Sequence, residues 1–413
     1  MHPMADPFPR FGRYRYYGNG LASDQAKSLI RTLEERITTC TPVSAGSSSV
    51  DDAPSIYDAT KECGNGGIIV IPEGKTFNIR SPLTFSECAS CEFQLEGTLR
   101  FSDDLSFWNG TKAMIEVFNV NGLKFRSLTG SGLIDANGQA AWESFATDTS
   151  LRRPTMFMIS NSTDILLDNF KARNPQGVFY SVGSQSARIA YSNLDLTAAS
   201  SSSTQPKNTD GFDIGNSTYV TVDNINVVNQ DDCIAFKAGL NYLTVQNITC
   251  DGSHGLSVGS LAKYADNVDT VQNVYVRGAV MKNSTKAAGI KIYPGGTEHG
   301  YGIVTNVTWE DITVDNCDYA FQVSACYNED ESYCEENPSN STIKEITLKN
   351  FHGATTSRYS PTVAQFFCPV EGSKCQVQVD GWSVDAGSGT ARVDCDNISS
   401  STLGINCTQT TAY

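Results

Sequence analysis

Basic residues are scarce in this sequence relative to acidic ones. The 413 residues include 30 Lys and Arg against 45 Asp and Glu, which gives a formal net charge of −15. Such a balance excludes nucleic acid and anionic membrane surfaces as general partners, because both repel an acidic protein. Long apolar runs are also missing, since no segment reaches the roughly 18 uninterrupted apolar residues of a membrane helix.

Histidine is scarce as well, with only four residues in the chain. Zinc sites are built largely from histidine and cysteine, and the sequence contains no pair of Cys-x-x-Cys motifs. A zinc site is therefore disfavoured, and we predict neither a metal site nor a cofactor.

Cysteine, in contrast, is abundant, with 13 residues. Several lie in short-range pairs that suit local disulfides, a pattern typical of secreted proteins. Nine Asn-x-Ser/Thr sequons also favour secretion, although residues 1–20 lack the apolar core of a signal peptide. The predicted pairs are Cys40–Cys63, Cys88–Cys91, Cys233–Cys250, Cys326–Cys334, Cys368–Cys375 and Cys395–Cys407, which leave Cys317 as a free thiol.

Apolar residues recur at near-helical spacing from Ser23 to Thr39, which predicts one amphipathic helix there. The rest of the chain consists of short Val-, Ile- and Thr-rich runs broken by Asn, Asp, Gly and Ser, which indicates strands and turns. We predict an N-terminal extension over residues 1–22 and a single domain over residues 23–413, with the helix as its N-terminal cap.

Seven of these runs share one pattern, and their starts lie 23 to 39 residues apart. The third and sixth positions of each run are apolar or small, and the fifth is Asn, Asp or Gly. The seven starts are Ile165, Ile189, Val220, Leu243, Val274, Val307 and Ile346. The fifth positions are Asn169, Asn193, Asn224, Asn247, Gly278, Asp311 and Asn350.

A unit near 23 residues with variable insertions is typical of a β-solenoid, in which each coil packs only against its neighbours. The leucine and asparagine frame of a leucine-rich repeat is absent. Asn at a fixed turn position favours a parallel β-helix, because Asn adopts the left-handed conformation at a corner. We therefore predict an all-β, right-handed parallel β-helix; a β-sandwich with accidental register stays open as the alternative.

Coil length also places acidic residues together. Asp210 to Asp232 and Asp232 to His254 each span 22 residues, so these three should form a row across adjacent coils, with Asp231 beside them. Crowded carboxylates raise one another's pKa, and a protonated acid beside an ionised base is what glycoside hydrolysis requires. A calcium site and a solvated turn are the alternatives.

Four strings around this row resemble, in order and spacing, the signature motifs of glycoside hydrolase family 28, the polygalacturonases and their relatives. They are Asn208-Thr209-Asp210, Asp231-Asp232, Gly252-Ser253-His254-Gly255 and Gly289-Ile290-Lys291. The resemblance covers most of the chain and is most specific over residues 150–330. It implies a right-handed parallel β-helix and a secreted enzyme that hydrolyses α-1,4-galacturonosyl linkages of pectin with inversion.

The resemblance also implies a role for each matching residue. Asp231 corresponds to the general acid, and Asp210 and Asp232 correspond to the pair that activates water. His254 corresponds to the residue that tunes the acid or holds the sugar. The expected substrate-binding residues are Asn208, Lys291 and Tyr327.

The chain departs from the family at Gly289, where an arginine usually precedes the lysine by two residues. Loss of that arginine removes a two-pronged carboxylate donor and is expected to open space, with Lys237 or Lys286 as possible substitutes. Within the family the chain is most similar to fungal xylogalacturonan hydrolases and exo-acting galacturonases. We therefore expect a monomer that cleaves xylose-substituted galacturonan; an exo-polygalacturonase, a pectate lyase and a non-catalytic glycan-binding β-helix are the alternatives.

Overall fold

A computed structural model of the protein describes residues 38–370 and 374–411. The predicted extension over residues 1–22 and most of the predicted helix Ser23–Thr39 lie outside these residues. At its end the helix prediction is wrong, because Thr39 belongs to a strand and pairs with Ile68.

Two long parallel sheets make up the fold. The larger sheet, sheet A, contains β1 (Thr39–Cys40), β2 (Ile68–Ile71), β3 (Thr76–Ile79), β5 (Ala89–Leu95), β6 (Thr98–Phe101), β8 (Asn121–Arg126), β9 (Leu133–Asp135), β11 (Thr163–Asp168), β12 (Lys171–Arg173), β14 (Ser186–Thr197), β16 (Ser217–Val228), β18 (Leu240–Asp251), β20 (Val268–Lys282), β22 (Tyr301–Cys317), β24 (Thr342–Thr355) and β26 (Cys375–Asp385). The smaller sheet, sheet B, contains β4 (Leu83–Thr84), β7 (Ala113–Phe118), β10 (Thr155–Ser160), β13 (Tyr180–Gly183), β15 (Phe212–Ile214), β17 (Ile234–Phe236), β19 (Leu256–Leu261), β21 (Lys286–Ile292), β23 (Tyr319–Ser324), β25 (Thr362–Phe367), β27 (Arg392–Asp396) and β28 (Thr408–Gln409).

The chain alternates between the two sheets, so that each coil pairs with the coils before and after it. Along the middle of the molecule, the strands of sheet A follow the order β11, β14, β16, β18, β20, β22 and β24, while those of sheet B follow β13, β15, β17, β19, β21 and β23. Every strand pairing described is parallel, as in a parallel β-helix. The predicted fold class is confirmed.

The seven-fold sequence repeat is the register of sheet A. Ile165 pairs with Ile189, Ile189 with Val220, and so on through Leu243, Val274 and Val307 to Ile346. The apolar third and sixth positions all point inward and are buried. Because equivalent side chains stack on one another, each coil covers the core of the next.

The fifth position of each repeat forms a corner within the strand. All seven residues there have φ between 53° and 67°, the left-handed region that Asn and Gly tolerate best. Asn side chains also bond from coil to coil, as where Nδ2 of Asn224 donates to Oδ1 of Asn193 at 2.7 Å. The predicted role of this position at a corner is confirmed.

Helices are short: α1 (Ala53–Cys63), α2 (Leu105–Trp108), α3 (Gln139–Thr147), α4 (Glu331–Glu336) and α5 (Ser400–Leu403). The sequence analysis did not predict α1, which packs against β1, β2 and β4 at the N-terminal end of the described solenoid. The Cys40–Cys63 disulfide ties the end of α1 to β1. Among the described residues, no helix is long and apolar enough to cross a membrane.

All six predicted disulfides are present, and Cys317 is a buried free thiol. The Cys233–Cys250 bridge joins β18 to the residue that directly follows Asp232. Six disulfides are typical of a protein that folds in an oxidising compartment.

Candidate active site

The predicted row of residues forms where the chain enters consecutive strands of sheet B. Phe212, Ile234 and Leu256 are paired across β15, β17 and β19, and each lies two residues after one member of the row. Asp210, Asp232 and His254 therefore occupy equivalent positions of adjacent coils. Main-chain bonds fix this alignment, since Gly211 N donates to Asp232 O and His254 N donates to Asp231 O.

A buried amide that the sequence analysis missed holds the turn before β17. Nδ2 of Asn229 donates to the carbonyl oxygens of Thr209, Asp231 and Asp232, at 2.9 to 3.0 Å. These contacts bind the two acid-bearing turns to each other. Asn229 follows the end of β16, but its side-chain direction depends on the folded turn and left no signal in the sequence.

The three aspartates converge on one small volume. One carboxylate oxygen from each of Asp210, Asp231 and Asp232 can be chosen so that all three lie within 4.8 Å of one another. Asp210 and Asp232 are buried, whereas the Asp231 side chain is 19% exposed. Of the three, Asp231 is the most exposed acid.

Asp210 has a raised pKa. Burial, together with repulsion from Asp213, Asp231 and Asp232, raises the pKa of Asp210 well above its usual value. Burial also raises the pKa of Asp213, which shares a side-chain hydrogen bond with Asp210. Lys237 lies 3.4 Å from Asp213, and the two carboxyls raise the pKa of Lys237 against the effect of burial.

Asp231 behaves in the opposite way. Nδ1 of His254 lies 3.3 Å from Oδ1 of Asp231, and Nδ2 of Asn208 donates to its Oδ2 at 3.2 Å. Burial would raise the pKa of Asp231, but the hydrogen bond and charge of His254 outweigh it and lower that pKa to about 2. The pKa values of these two neighbouring carboxyls are therefore driven in opposite directions, with that of Asp210 raised and that of Asp231 lowered.

Asp232 is paired with the predicted substrate-binding lysine. Nζ of Lys291 lies 2.5 Å from Oδ2 of Asp232, and both side chains are almost fully buried. Asp232 raises the pKa of Lys291 against the effect of burial. Oδ1 of Asp232 makes no hydrogen bond to any group among the described residues.

Tyr327 lies at the edge of this cluster, with its ring centre 5.5 Å from Lys291 Nζ. Its neighbour Cys326 is joined to Cys334, so the tyrosine also flanks a disulfide. Burial raises the pKa of Tyr327, which stays neutral.

Arg153, which was not predicted from the sequence, lies just before β10 and contacts the site through Asn208. Its guanidinium donates to Asn208 Oδ1 at 2.8 Å and to the carbonyl oxygens of Gln176 and Lys207. It also lies 3.7 Å over the Phe145 ring. Asn208, held in this way, is fixed in turn against Asp231.

The expectation that Gly289 opens space is wrong at that residue. A Cβ on Gly289 would lie 2.6 Å from the Gln322 carbonyl oxygen and 2.9 Å from Cδ of Lys286. The Lys286 side chain fills the volume beside the glycine.

Comparison with known proteins agrees with this geometry. The model of glycosyl hydrolases family 28 matches residues 63–407. The chain belongs to glycosyl hydrolases family 28. The acidic row lies within the matched residues, as the family's motifs predict.

Among curated family 28 proteins, the chain is 50% identical over 392 residues to endo-xylogalacturonan hydrolase A of Aspergillus tubingensis, covering 94% of this chain and 96% of that protein. It is 49% identical over 397 residues to a probable endo-xylogalacturonan hydrolase A of Emericella nidulans, covering 96% and 98%.

Two solved family structures also match. The crystal structure of endo-xylogalacturonan hydrolase from Aspergillus tubingensis gives a TM-score of 0.89 at 49% identity, covering 91% of this chain and 100% of that chain. A polygalacturonase from Erwinia carotovora gives 0.65 at 17% identity, covering 86% and 96%, and shows the shared fold.

Proposed function

We propose that this family 28 hydrolase is a secreted endo-xylogalacturonan hydrolase, which cleaves α-1,4-galacturonosyl linkages within a xylose-substituted pectic backbone. The observation that carries the proposal is the 50% identity, over nearly the full length of both chains, to a protein of that name. The complete set of three aspartates supports catalysis over a merely glycan-binding role. The named relatives favour internal cleavage over the exo-acting alternative.

Asp231 is the general acid in this proposal, because its carboxyl is the most exposed of the three. Its low pKa in the free structure arises from His254. A bound galacturonate brings a negative charge and displaces water, and both raise the pKa of a neighbouring carboxyl. Substrate binding therefore shifts Asp231 toward the protonated form that can donate to the leaving oxygen.

Asp232 and Asp210 position and activate the attacking water. Oδ2 of Asp232 is occupied by Lys291, while its buried Oδ1 has no hydrogen-bond partner among the described residues. The raised pKa of Asp210 suits a carboxylate that takes a proton from the attacking water. Asn208, Lys291 and Tyr327 are the proposed substrate-binding residues.

Stereochemistry does not follow from the carboxylate spacing. Inverting glycosidases usually hold their two carboxyls about 6.5–9.5 Å apart, and retaining ones about 5–5.5 Å apart. The 4.8 Å limit here joins selected oxygens of three acids and lies nearer the shorter range. Inversion is proposed from the motifs that this chain shares with the family.

A single digestion tests the reaction type and the outcome. Xylogalacturonan is incubated with the protein, with and without a chelator, and reducing ends, product sizes and the anomer formed first are followed, with Asp231→Asn as the control. We expect mixed-size saturated oligosaccharides, no effect of chelator and a first-formed β-anomer. Unsaturated products that need calcium would show a lyase, monomers alone an exo-enzyme, and a first-formed α-anomer a retaining mechanism.

A further inference from the structure

We propose that Lys286 and Lys291 together bind a galacturonate carboxylate beside the scissile bond. Lys286 would thus take the place of the arginine that the family usually has at the position of Gly289. The inference rests on the proposed function, because it assumes a galacturonan substrate. Lys286 lies outside the four motif strings.

The register of sheet B places Lys286 in the catalytic row. Leu256 of β19 pairs with Ala288 of β21, so Lys286 occupies the position in its coil that His254 occupies in the preceding one. The row therefore runs Asp210, Asp232, His254, Lys286 along the axis of the solenoid.

Two glycines let the Lys286 side chain follow the outer face of the sheet. A Cβ on Gly255 would lie 3.0 Å from Cγ of Lys286, and a Cβ on Gly289 would lie 2.9 and 3.1 Å from its Cδ and Cε. A side chain at either position would displace the lysine. A side chain at residue 289 would therefore compete with Lys286 for the same space.

The ammonium group of Lys286 is buried but has no anionic partner in contact. The residue is 7% exposed, and no ion pair joins it to any carboxylate of the described residues. Lys237 is paired with Asp213 and Lys291 with Asp232, so Lys286 differs from the other two lysines of the site. A buried cation in this state is costly unless an anion arrives to pair with it.

The electrostatics agree with this assignment. Burial and the charge of Lys291 lower the pKa of Lys286 to about 8, with Asp232 and Asp231 acting against them. Lys286 therefore remains a cation at acidic and neutral pH, within range of the same acids that surround the reaction. A substrate carboxylate would raise its pKa again by pairing with it.

Lysine also suits a branched substrate better than arginine does at this place. An ammonium is a point donor on a flexible stem, whereas a guanidinium demands a planar, two-pronged geometry. A carboxylate whose angle is set by a neighbouring xylose can still be bound by Lys286.

The test compares Lys286→Met with Lys124→Met, which removes an exposed lysine from β8. Both variants and the wild type are assayed on xylogalacturonan oligosaccharides with free carboxylates and on the same oligosaccharides after methyl esterification. We expect Lys286→Met to lower kcat/KM on the free acid roughly 10- to 100-fold and to have little effect on the ester, as for loss of one charged hydrogen bond. The Lys124→Met variant should behave as the wild type does.

Three outcomes are distinguishable. Equal loss on acid and ester would show that Lys286 is structural and would overturn the inference, as would Lys286→Met activity equal to that of Lys124→Met. Absence of wild-type activity on every galacturonan would instead overturn the proposed function itself. Melting curves check folding, and we expect Lys286→Met to melt no lower than the wild type, because it removes an unpaired buried charge.

The wild type offers a second measurement that does not depend on any variant folding. Its preference for acid over ester should fall as the pH rises through about 8, where Lys286 loses its proton. A preference constant from pH 7 to 9 would contradict the inference. The other charged or titratable groups around Lys286 are Lys291 on its own strand, Asp231 and Asp232 on the turn before β17, and His254 and Tyr319 at the equivalent positions of the flanking coils.

Discussion

Nδ1 of His254 lies 3.3 Å from Oδ1 of Asp231, and this contact keeps the proposed general acid ionised in the free enzyme. The neighbouring Asp210 has the opposite property, because burial and three nearby carboxyls raise its pKa well above the usual value. Two carboxyls whose pKa values are driven apart are the usual arrangement of an acid and base pair. Here the free-state order of the two is the reverse of the proposed roles, which makes the assignment open to a direct test.

A substrate with a good leaving group distinguishes the general acid from the other two aspartates. Asp231→Asn should lose about 10²- to 10⁴-fold in kcat on the polysaccharide, the usual contribution of a general acid. It should lose far less on an oligogalacturonide with a nitrophenyl group at its reducing end, since nitrophenolate leaves without protonation. Asp210→Asn and Asp232→Asn should be impaired on both substrates. If the nitrophenyl substrate instead restored the activity of Asp210→Asn and not that of Asp231→Asn, the general acid would be Asp210.

Asp210→Asn should stabilise the protein while inactivating it. In the unfolded chain this carboxyl ionises near pH 3.8, but in the folded protein its pKa is raised, so ionisation favours unfolding as the pH climbs above 3.8. We expect Tm of the variant to exceed that of the wild type at pH 7. The difference should shrink as the pH falls below 4. A variant that melts below the wild type at pH 7 would contradict this reading.

Lys291→Met should be strongly destabilising, because it leaves Asp232 buried without its partner. Loss of one member of a buried ion pair costs about 3–5 kcal/mol. The double variant Lys291→Met, Asp232→Asn should recover most of that loss, since neither charge remains, yet stay inactive. Denaturant unfolding at neutral pH measures both. If the double variant is no more stable than the single one, the ion pair is not the source of the loss.

The repeated coils could be predicted from sequence because their signals are local. Ile165 and its six equivalents pair in register, and corner residues such as Asn224 adopt the left-handed conformation. Both properties follow from the residue type at each position of the repeat, which a single segment already contains. The row of Asp210, Asp232 and His254 followed from coil length alone.

The remainder of the site depends on contacts between coils that no single segment encodes. The path of Lys286 requires that Gly255 and Gly289, one in the neighbouring coil, both lack side chains. The ion pair of Lys237 with Asp213 likewise requires two adjacent coils to be in place. Helix α1 buries Ala53, Ile56, Ala59 and Cys63 at helical spacing, but only Ile56 is a large apolar side chain, so the pattern is weak in the sequence.

Rates on one pair of substrates decide whether this family 28 hydrolase acts on a xylose-substituted backbone. Initial rates of reducing-end release are measured on xylogalacturonan and on the same batch of polymer after enzymatic removal of its xylose. We predict that kcat/KM is higher on the substituted polymer and that Asp231→Asn abolishes release from both. An equal or higher kcat/KM on the stripped polymer would contradict the account and make the protein a polygalacturonase.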